Sequence, residues 1–282
     1  MNDSERTVTG RTKLAVVIGD PVQQSLSPVI HNAGFAASRL DWTYAALRVP
    51  SESLDAFVSL VRTSSISGVS VTMPHKSAVA TLVDRLDESA SSLASVNTIV
   101  KSDDGELIGY STDGDGLCDS LVEAGVSIEG RRVVVLGAGG AARSIVDALA
   151  RHGVGSILIH NRTLANAELL LPLARGRGAV CDGNELADAV RSSDIVINAS
   201  SVGMGENVSP LRDGLLTADH VVVDIVYHPL KTTLLAQAES AGSRTVDGLR
   251  MLIHQAARQQ SLWTGVRPDV TSMTRAAIRA LG

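Results

Sequence analysis

The segment Ser70-Val71-Thr72-Met73-Pro74-His75-Lys76 climbs a β-like run, stops at a proline and sets down a lysine two residues later. Such a lysine, opening a helical pattern, is ordinarily a solvated surface charge. Beside a reacting ketone the same ammonium would stabilise negative charge growing on oxygen and supply a proton. A second constellation, Gly137-Ala138-Gly139-Gly140-Ala141-Ala142, stands directly after the apolar run 133–136 and directly before a helical pattern. Gly137 allows a tight turn, Gly139 lets the backbone approach a pyrophosphate, and Ala142 lets helix and strand pack closely, leaving N–H groups aimed at phosphates. The alternative is a ligand-free glycine-rich turn, whose chain-entropy cost a simpler turn would avoid.

The next strand pattern, "SILIH", ends in Asn161-Arg162-Thr163, where an NAD site normally places an acid for the ribose hydroxyls. A guanidinium there suits a 2′-phosphate that a carboxylate would repel, so the expected cofactor is NADP. Asn161 and Thr163 either help hold the adenosine ribose and phosphate or cap the following helix. A dinucleotide unit needs a second wall for the molecule it reduces or oxidises. The first half of the chain offers polar groups at strand ends: Ser25 and Ser27, Thr72 and Lys76, Asn97, and Asp113 at the joint between the halves. Asp113 also reads as a plain helix N-cap.

The elements that must position these groups alternate between β-like and helical patterns, the signature of α/β architecture with mostly parallel strands. "KLAVVIG" is a buried strand, and Ser27-Pro28 reads as N-cap and first turn of a helix through about Arg39. "YAALRV" and "GVSVTM" are strands, "SLDAFVSLVR" an amphipathic helix, and "KSAVATLVDRL" a further helix. "VNTIVKSDDGELIGYST" reads as a hairpin about Asp103-Asp104-Gly105. A helix and loop over 113–126 connect to a second βαβ series from about residue 131, with helix "TLANAELLLPLA" and later strands "DIVINAS" and "HVVVDIV". Two helical patterns, 248–264 and 269–281, close the chain.

At 282 residues and 44% hydrophobic content, two domains are the default. A net charge of −5 and a pI near 5.8 provide no basic field for nucleic acid. Cys118 and Cys181 are too far apart for a Cys-x-x-Cys site, and the seven histidines form no helical pair, so no metal is expected. The N-terminal stretch "MNDSERTVTGRTK" lacks an apolar h-region and no apolar run is long enough for a bilayer. The expectation is a cytoplasmic protein without a membrane partner.

Taken in order, these marks resemble the shikimate dehydrogenase family along essentially the whole chain. They are S-x-S-P (Ser25, Ser27, Pro28), V-T-x-P-x-K (71–76), V-N-T (96–98), T-D-G (112–114) and G-A-G-G-A (137–141). N-R-T (161–163), N-A-S with G-M (198–204) and D-G-x-x-M-L-x-x-Q-A (Asp247 to Ala256) follow. The resemblance implies a substrate domain over 1–113, a Rossmann-like NADP-binding domain over 114–247, and C-terminal helices over 248–282 returning to the first domain. It implies reversible reduction of 3-dehydroshikimate to shikimate by NADPH, a step of aromatic amino-acid biosynthesis, with Lys76 and Asp113 as catalytic pair. Ser25 and Ser27 would take the substrate carboxylate, Thr72, Asn97 and Gln255 would hydrogen-bond the substrate, and Tyr227 would close the pocket near the nicotinamide. Gly137 to Ala141, Asn161, Arg162, Thr163 and Gly248 would hold the cofactor. Family members occur as monomers and homodimers, and no helix face here decides between them.

The chain departs from the pattern at Ser70 and Ser111, where asparagine is usual, at Asn166, where many NADP-using members carry a second basic residue, and at Thr233, where proline is usual. Three alternatives stand beside this reading. A quinate/shikimate dehydrogenase accepting NAD is disfavoured by Ser27, Asn161 and Arg162. A methylenetetrahydrofolate dehydrogenase would have no purpose for the two serines and Asn97. A non-catalytic nucleotide-binding regulatory module would not need both Lys76 and Asp113.

Overall fold

The computed structural model describes residues 7–282, which divide into two compact units, 7–112 with 256–282 and 113–255. The first unit contains β1 (Lys13–Gly19), α1 (Ser27–Ala37), β2 (Trp42–Arg48), α2 (Leu54–Thr63), β3 (Ile66–Val71), α3 (Lys76–Val79), β4 (Arg85–Leu86), α4 (Glu88–Ser91), β5 (Thr98–Lys101) and β6 (Leu107–Tyr110). The sheet order is β2-β1-β3-β5-β6-β4. The β1 pairings with β2 and β3 and the β4 pairing with β6 are parallel, whereas β5 runs antiparallel to β3 and β6.

An unbroken apolar run suits β1 because both of its faces are covered. Val16 and Ile18 enter the cluster with Phe57, Val58 and Val61 of α2, while Ala15 and Val17 face Phe35, Trp42 and Tyr44. The expected hairpin forms as β5 and β6, with Gly105 in a positive-φ turn position. Two details differ from expectation. Leu26, not Ser27, is the N-cap of α1, and no side chain caps it. The helical pattern after Lys76 yields only one turn, because Arg85 and Leu86 are drawn into the sheet beside Ile108 and Gly109 of β6.

The second unit holds α5 (Asp113–Glu123), β7 (Arg132–Leu136), α6 (Gly140–Arg151), β8 (Ser156–His160), α7 (Leu164–Glu168), β9 (Gly178–Cys181), α8 (Leu186–Ser192), β10 (Ile195–Asn198), β11 (Val221–Asp224), α9 (Thr233–Ser240) and β12 (Arg244–Val246). Its sheet is all parallel in the order β12-β11-β10-β7-β8-β9. The chain starts at β7, fills one side, and returns to fill the other. That reversal opens a crevice at the C-terminal ends of β7 and β10, the position where open α/β sheets take ligands. The expected helix over "TLANAELLLPLA" stops at Glu168, with a separate 3-10 turn at Leu171–Ala174 carrying Pro172.

Two helices complete the chain, α10 (Gly248–Thr264) and α11 (Val270–Leu281). The division between units falls inside α10, after Gln255, so its second half and α11 belong with the first unit. There Trp263 of α10 lies on β3. A Cβ at Gly68 would stand 2.6 Å from the indole ring, so only glycine fits, and the indole N–H donates to the Ile99 carbonyl at 3.0 Å. Among the described residues, no helix is long and apolar enough to cross a membrane.

Beside Trp263, His31 of α1 is fully buried and stacked on Tyr44 with ring centroids 4.3 Å apart. Burial lowers its pKa from 6.5 to about 3, against a hydrogen bond to Gln259 that favours the charged ring. Between those two values the unfolded chain binds a proton that the native state refuses, so stability falls as pH drops below about 6.5. This group alone is expected to cost roughly 1 kcal/mol for each pH unit in that window. Urea midpoints followed by circular dichroism from pH 7 to 4 check this: His31→Gln should flatten the slope, and an unchanged slope would mean that His31 is protonated in the native protein.

Candidate active site

Parallel pairing of β1 and β3 brings their C-terminal ends to one rim of the first unit's sheet. Because β5 is antiparallel to β3, its start lies at the same rim, with Thr98 opposite Ser70. The structure therefore gathers Ser25 and Ser27 after β1, Thr72 and Lys76 after β3, and Asn97 before β5. Backbone bonds lace the loops together: Thr72 N–H donates to Ile18 O at 2.9 Å, Asp20 N–H to Met73 O at 3.0 Å, and Val71 N–H to Asn97 O at 2.7 Å. Gly19 is needed where they cross, since a Cβ would stand 2.5 Å from the Thr72 methyl and 2.9 Å from Met73 O.

Lys76 is the half-buried first residue of α3. The preceding His75 is buried and its ring N–H donates to Val49 O at 2.6 Å, while Lys76 O accepts from Val96 N–H at 2.9 Å. The lysine's main chain is thus held from both sides. Ser25 Oγ accepts from Ser27 N–H at 3.2 Å, which orders the turn into α1. Asn97 is buried and bound to the end of β6: its Oδ1 accepts from Thr112 N–H at 2.9 Å and from Thr98 Oγ1 at 2.7 Å, and its Nδ2 donates to Thr112 Oγ1 at 3.0 Å. Its amide is therefore already a structural clasp, whatever else it binds.

In the second unit, Gly137 adopts φ +116°, and a Cβ there would lie 2.8 Å from Ala199 O. Gly139 is the N-cap of α6, Ala142 is fully buried against the sheet, and the first turn of α6 contains no acid. Gly139 and Gly140 are exposed, with nothing within 4 Å of where a Cβ would be. The backbone N–H end of a twelve-residue helix so faces open space that side chains would have filled, which fits a dinucleotide pyrophosphate. Ala138 and Ala141 complete this loop. At the end of neighbouring β8, Arg162 is exposed, and Asn161 Nδ2 donates to Thr163 O at 2.9 Å. Thr163 occupies the N-cap position of α7 without a side-chain capping bond.

Asp113 opens α5, and the glycines after it let α5 touch two neighbours. A Cβ on Gly114 would stand 2.0 Å from Ser144 O of α6, and one on Gly116 2.6 Å from the Gln255 nitrogen of α10. Asp115, two residues after Asp113, is buried, accepting from both Arg151 terminal nitrogens at 3.1 and 3.0 Å and facing His152 Nε2 at 2.9 Å. Burial works against the Arg151 charge, but Asp115 and Asp147 outweigh it and raise its pKa. Asp113 is half-buried at the helix start. Gln255 is buried, and its amide donates to Leu252 O at 2.9 Å.

Tyr227 is half-buried in the loop after β11, where burial pushes its phenol pKa up. A residue that sequence reasoning missed organises this loop. The fully buried Asp224 carboxylate accepts from Thr232 Oγ1 at 2.7 Å, Asn198 Nδ2 at 2.9 Å and Val226 N–H at 3.0 Å, while burial raises its pKa. Its signal was an acid ending the apolar strand "HVVVD". Gly248 has a packing role of its own, since a Cβ would meet Ile225 O at 2.3 Å. Among the described residues, no three metal-ligating side chains come together.

A reversing parallel sheet with a glycine-rich helix entry, joined in one chain to a unit whose sheet rim carries hydroxyls, an amide and an ammonium, defines a two-unit dinucleotide-dependent oxidoreductase. Family models match on both units: the shikimate dehydrogenase substrate binding domain over residues 17–99, shikimate / quinate 5-dehydrogenase over 120–209, and the shikimate 5'-dehydrogenase C-terminal domain over 248–278. A shikimate dehydrogenase (NADP(+)) of Pyrococcus abyssi is 45% identical over 270 residues, covering 96% of this chain and 99% of the relative. Among solved structures, a Thermus thermophilus shikimate 5-dehydrogenase in complex with NADP(H) and shikimate matches with TM-score 0.86 at 33% identity, covering 95% of this chain and 99% of the other. A quinate dehydrogenase of Corynebacterium glutamicum in complex with NAD matches with TM-score 0.89 at 30% identity, with coverage of 95% and 99%. The chain belongs to the shikimate dehydrogenase family.

Proposed function

We propose that this chain catalyses the reversible NADPH-dependent reduction of 3-dehydroshikimate to shikimate in the cytoplasm, with Lys76 and Asp113 as its catalytic pair. The observation that carries the reading is the single sheet rim holding Ser25, Ser27, Thr72, Lys76 and Asn97, a set of donors suited to a polyhydroxylated carboxylate. NADPH, when bound, supplies the hydride. Its pyrophosphate is assigned to the loop Gly137 to Ala141, its 2′-phosphate to Arg162 with Asn161 and Thr163, and Gly248 to the cofactor side.

The Lys76 ammonium stabilises the oxygen on which charge develops and can deliver the proton that completes the alcohol. Asp113 orients the lysine and, as a carboxylate, biases its proton affinity. Ser25 and Ser27 bind the substrate carboxylate with neutral hydroxyl donors, Thr72, Asn97 and Gln255 bind further substrate oxygens, and Tyr227 covers the nicotinamide side and excludes water. The substrate domain on this reading is 1–113, the cofactor domain 114–247, and 248–282 returns to the first.

One second reading has its own observation. Asn166 sits in α7 where a second cation would reinforce a 2′-phosphate, and a quinate dehydrogenase with NAD shares the fold. Initial rates with shikimate and quinate, each with NADP and NAD, separate the readings. Shikimate with NADP should give the highest kcat/KM. Quinate with NAD in first place would overturn the substrate and cofactor together, and no turnover with any pair would leave a nucleotide-binding regulatory module.

A further inference from the structure

Ser70 completes a buried chain of hydrogen bonds within the first unit. Tyr44 Oη and Ser70 Oγ are 2.6 Å apart, Ser70 Oγ and Gln259 Oε1 2.7 Å, His31 Nε2 and Gln259 Oε1 3.2 Å, and Gln259 Nε2 and the Asn97 carbonyl 3.2 Å. Tyr44, Ser70, His31, Asn97 and Gln259 are all buried, so none of these groups can exchange its partner for bulk water without cost.

Proton bookkeeping fixes the direction of the chain. The Asn97 carbonyl can only accept, so the Gln259 nitrogen must face it and Oε1 must face the other way. That oxygen then receives both the Ser70 hydroxyl proton and the His31 Nε2–H, which sets the histidine tautomer. With its proton committed, Ser70 can only accept from Tyr44. One side chain from α10 so joins α1, four residues beyond Ser27, to β3, two residues before Thr72, and to the main chain of Asn97.

We propose that Gln259 is a positioning residue of the substrate site, holding the segments that carry Ser27, Thr72 and Asn97 in register through this one-way chain. The inference rests on the assignment of the rim to the substrate. Gln259 reaches the substrate only through these neighbours, so its loss acts on substrate binding and not on the cofactor.

Gln259→Glu provides the test, because a protonated carboxyl reproduces both halves of the amide: its O–H donates to Asn97 O and its carbonyl accepts from Ser70 and His31. Ionised, it opposes one acceptor with another. The titratable groups that meet position 259 are His31 from α1 and Tyr44 through Ser70 from β2 and β3. His31 is held neutral by burial, and burial likewise keeps the Tyr44 phenol protonated, its hydroxyl donating to Ser70. The expected result is a KM for shikimate close to that of the wild type at pH 6 and raised about tenfold at pH 9, with KM for NADP following the wild type throughout. Gln259→Leu should raise KM for shikimate at both pH values. A KM for shikimate that tracks the wild type in both variants would overturn the proposal, as would a parallel rise in KM for NADP. Should Gln259→Leu fail to fold, the pH split of Gln259→Glu still decides. Wild-type turnover of shikimate with NADP is measured alongside, and its absence would fault the functional reading and not the role of Gln259.

Discussion

Lys76→Ala is expected to lower kcat for shikimate oxidation by about a thousandfold while KM for shikimate stays within about threefold. The asymmetry follows from when the lysine acts. Charge on the reacting oxygen is largest in the transition state, so an ammonium beside it stabilises that state more than the bound ground state. The fold fixes the lysine's main chain, through Val96 N–H on Lys76 O and the buried His75 ring on Val49 O. Steady-state kinetics in both directions is the check. An unchanged kcat would remove Lys76 from the catalytic pair, and a large rise in KM with kcat intact would make it a binding residue.

Arg162→Ala is expected to raise KM for NADP by about 30-fold and KM for NAD by no more than about twofold. The 2′-phosphate is the only part that distinguishes the two cofactors, and Arg162 is the guanidinium at the end of β8, where an NAD-binding protein would place an acid. With asparagine at 166, no second basic side chain in α7 shares the load. Kinetics with both cofactors on the same preparation measures the split. Equal increases would remove the phosphate-clamp assignment and point to damage in the loop at large.

The local geometry of the glycine-rich turn, which one continuous segment builds, was legible in the sequence. The apolar run, Gly137-x-Gly139 and Ala142 are local, and each takes the conformation or packing its type suggests: positive φ at 137, open space at 139, and full burial at 142. The hairpin of β5 and β6 was equally local. What escaped was non-local. The pattern "KSAVATLVDRL" has good helical periodicity, but pairing with β6 pulls residues 85 and 86 into a strand, tertiary contact overriding propensity. Gln259 and Ser70 are separated by 189 positions, and no spacing rule connects them. Asp224 looked like a strand-end acid with no stated task, since its three donors come from 198, 226 and 232. Ser70 was visible as a departure, yet its meaning depended on Tyr44 and Gln259 being placed around it.

The seating of Trp263 against Gly68 has a practical consequence. The chain has two tryptophans, Trp42 and Trp263, and both lie in the first unit. Emission excited at the red edge of the indole band is therefore a private signal of that unit, and 113–255 is dark to it. A melt recorded by emission and by ellipticity together would separate the loss of one unit from the loss of the other.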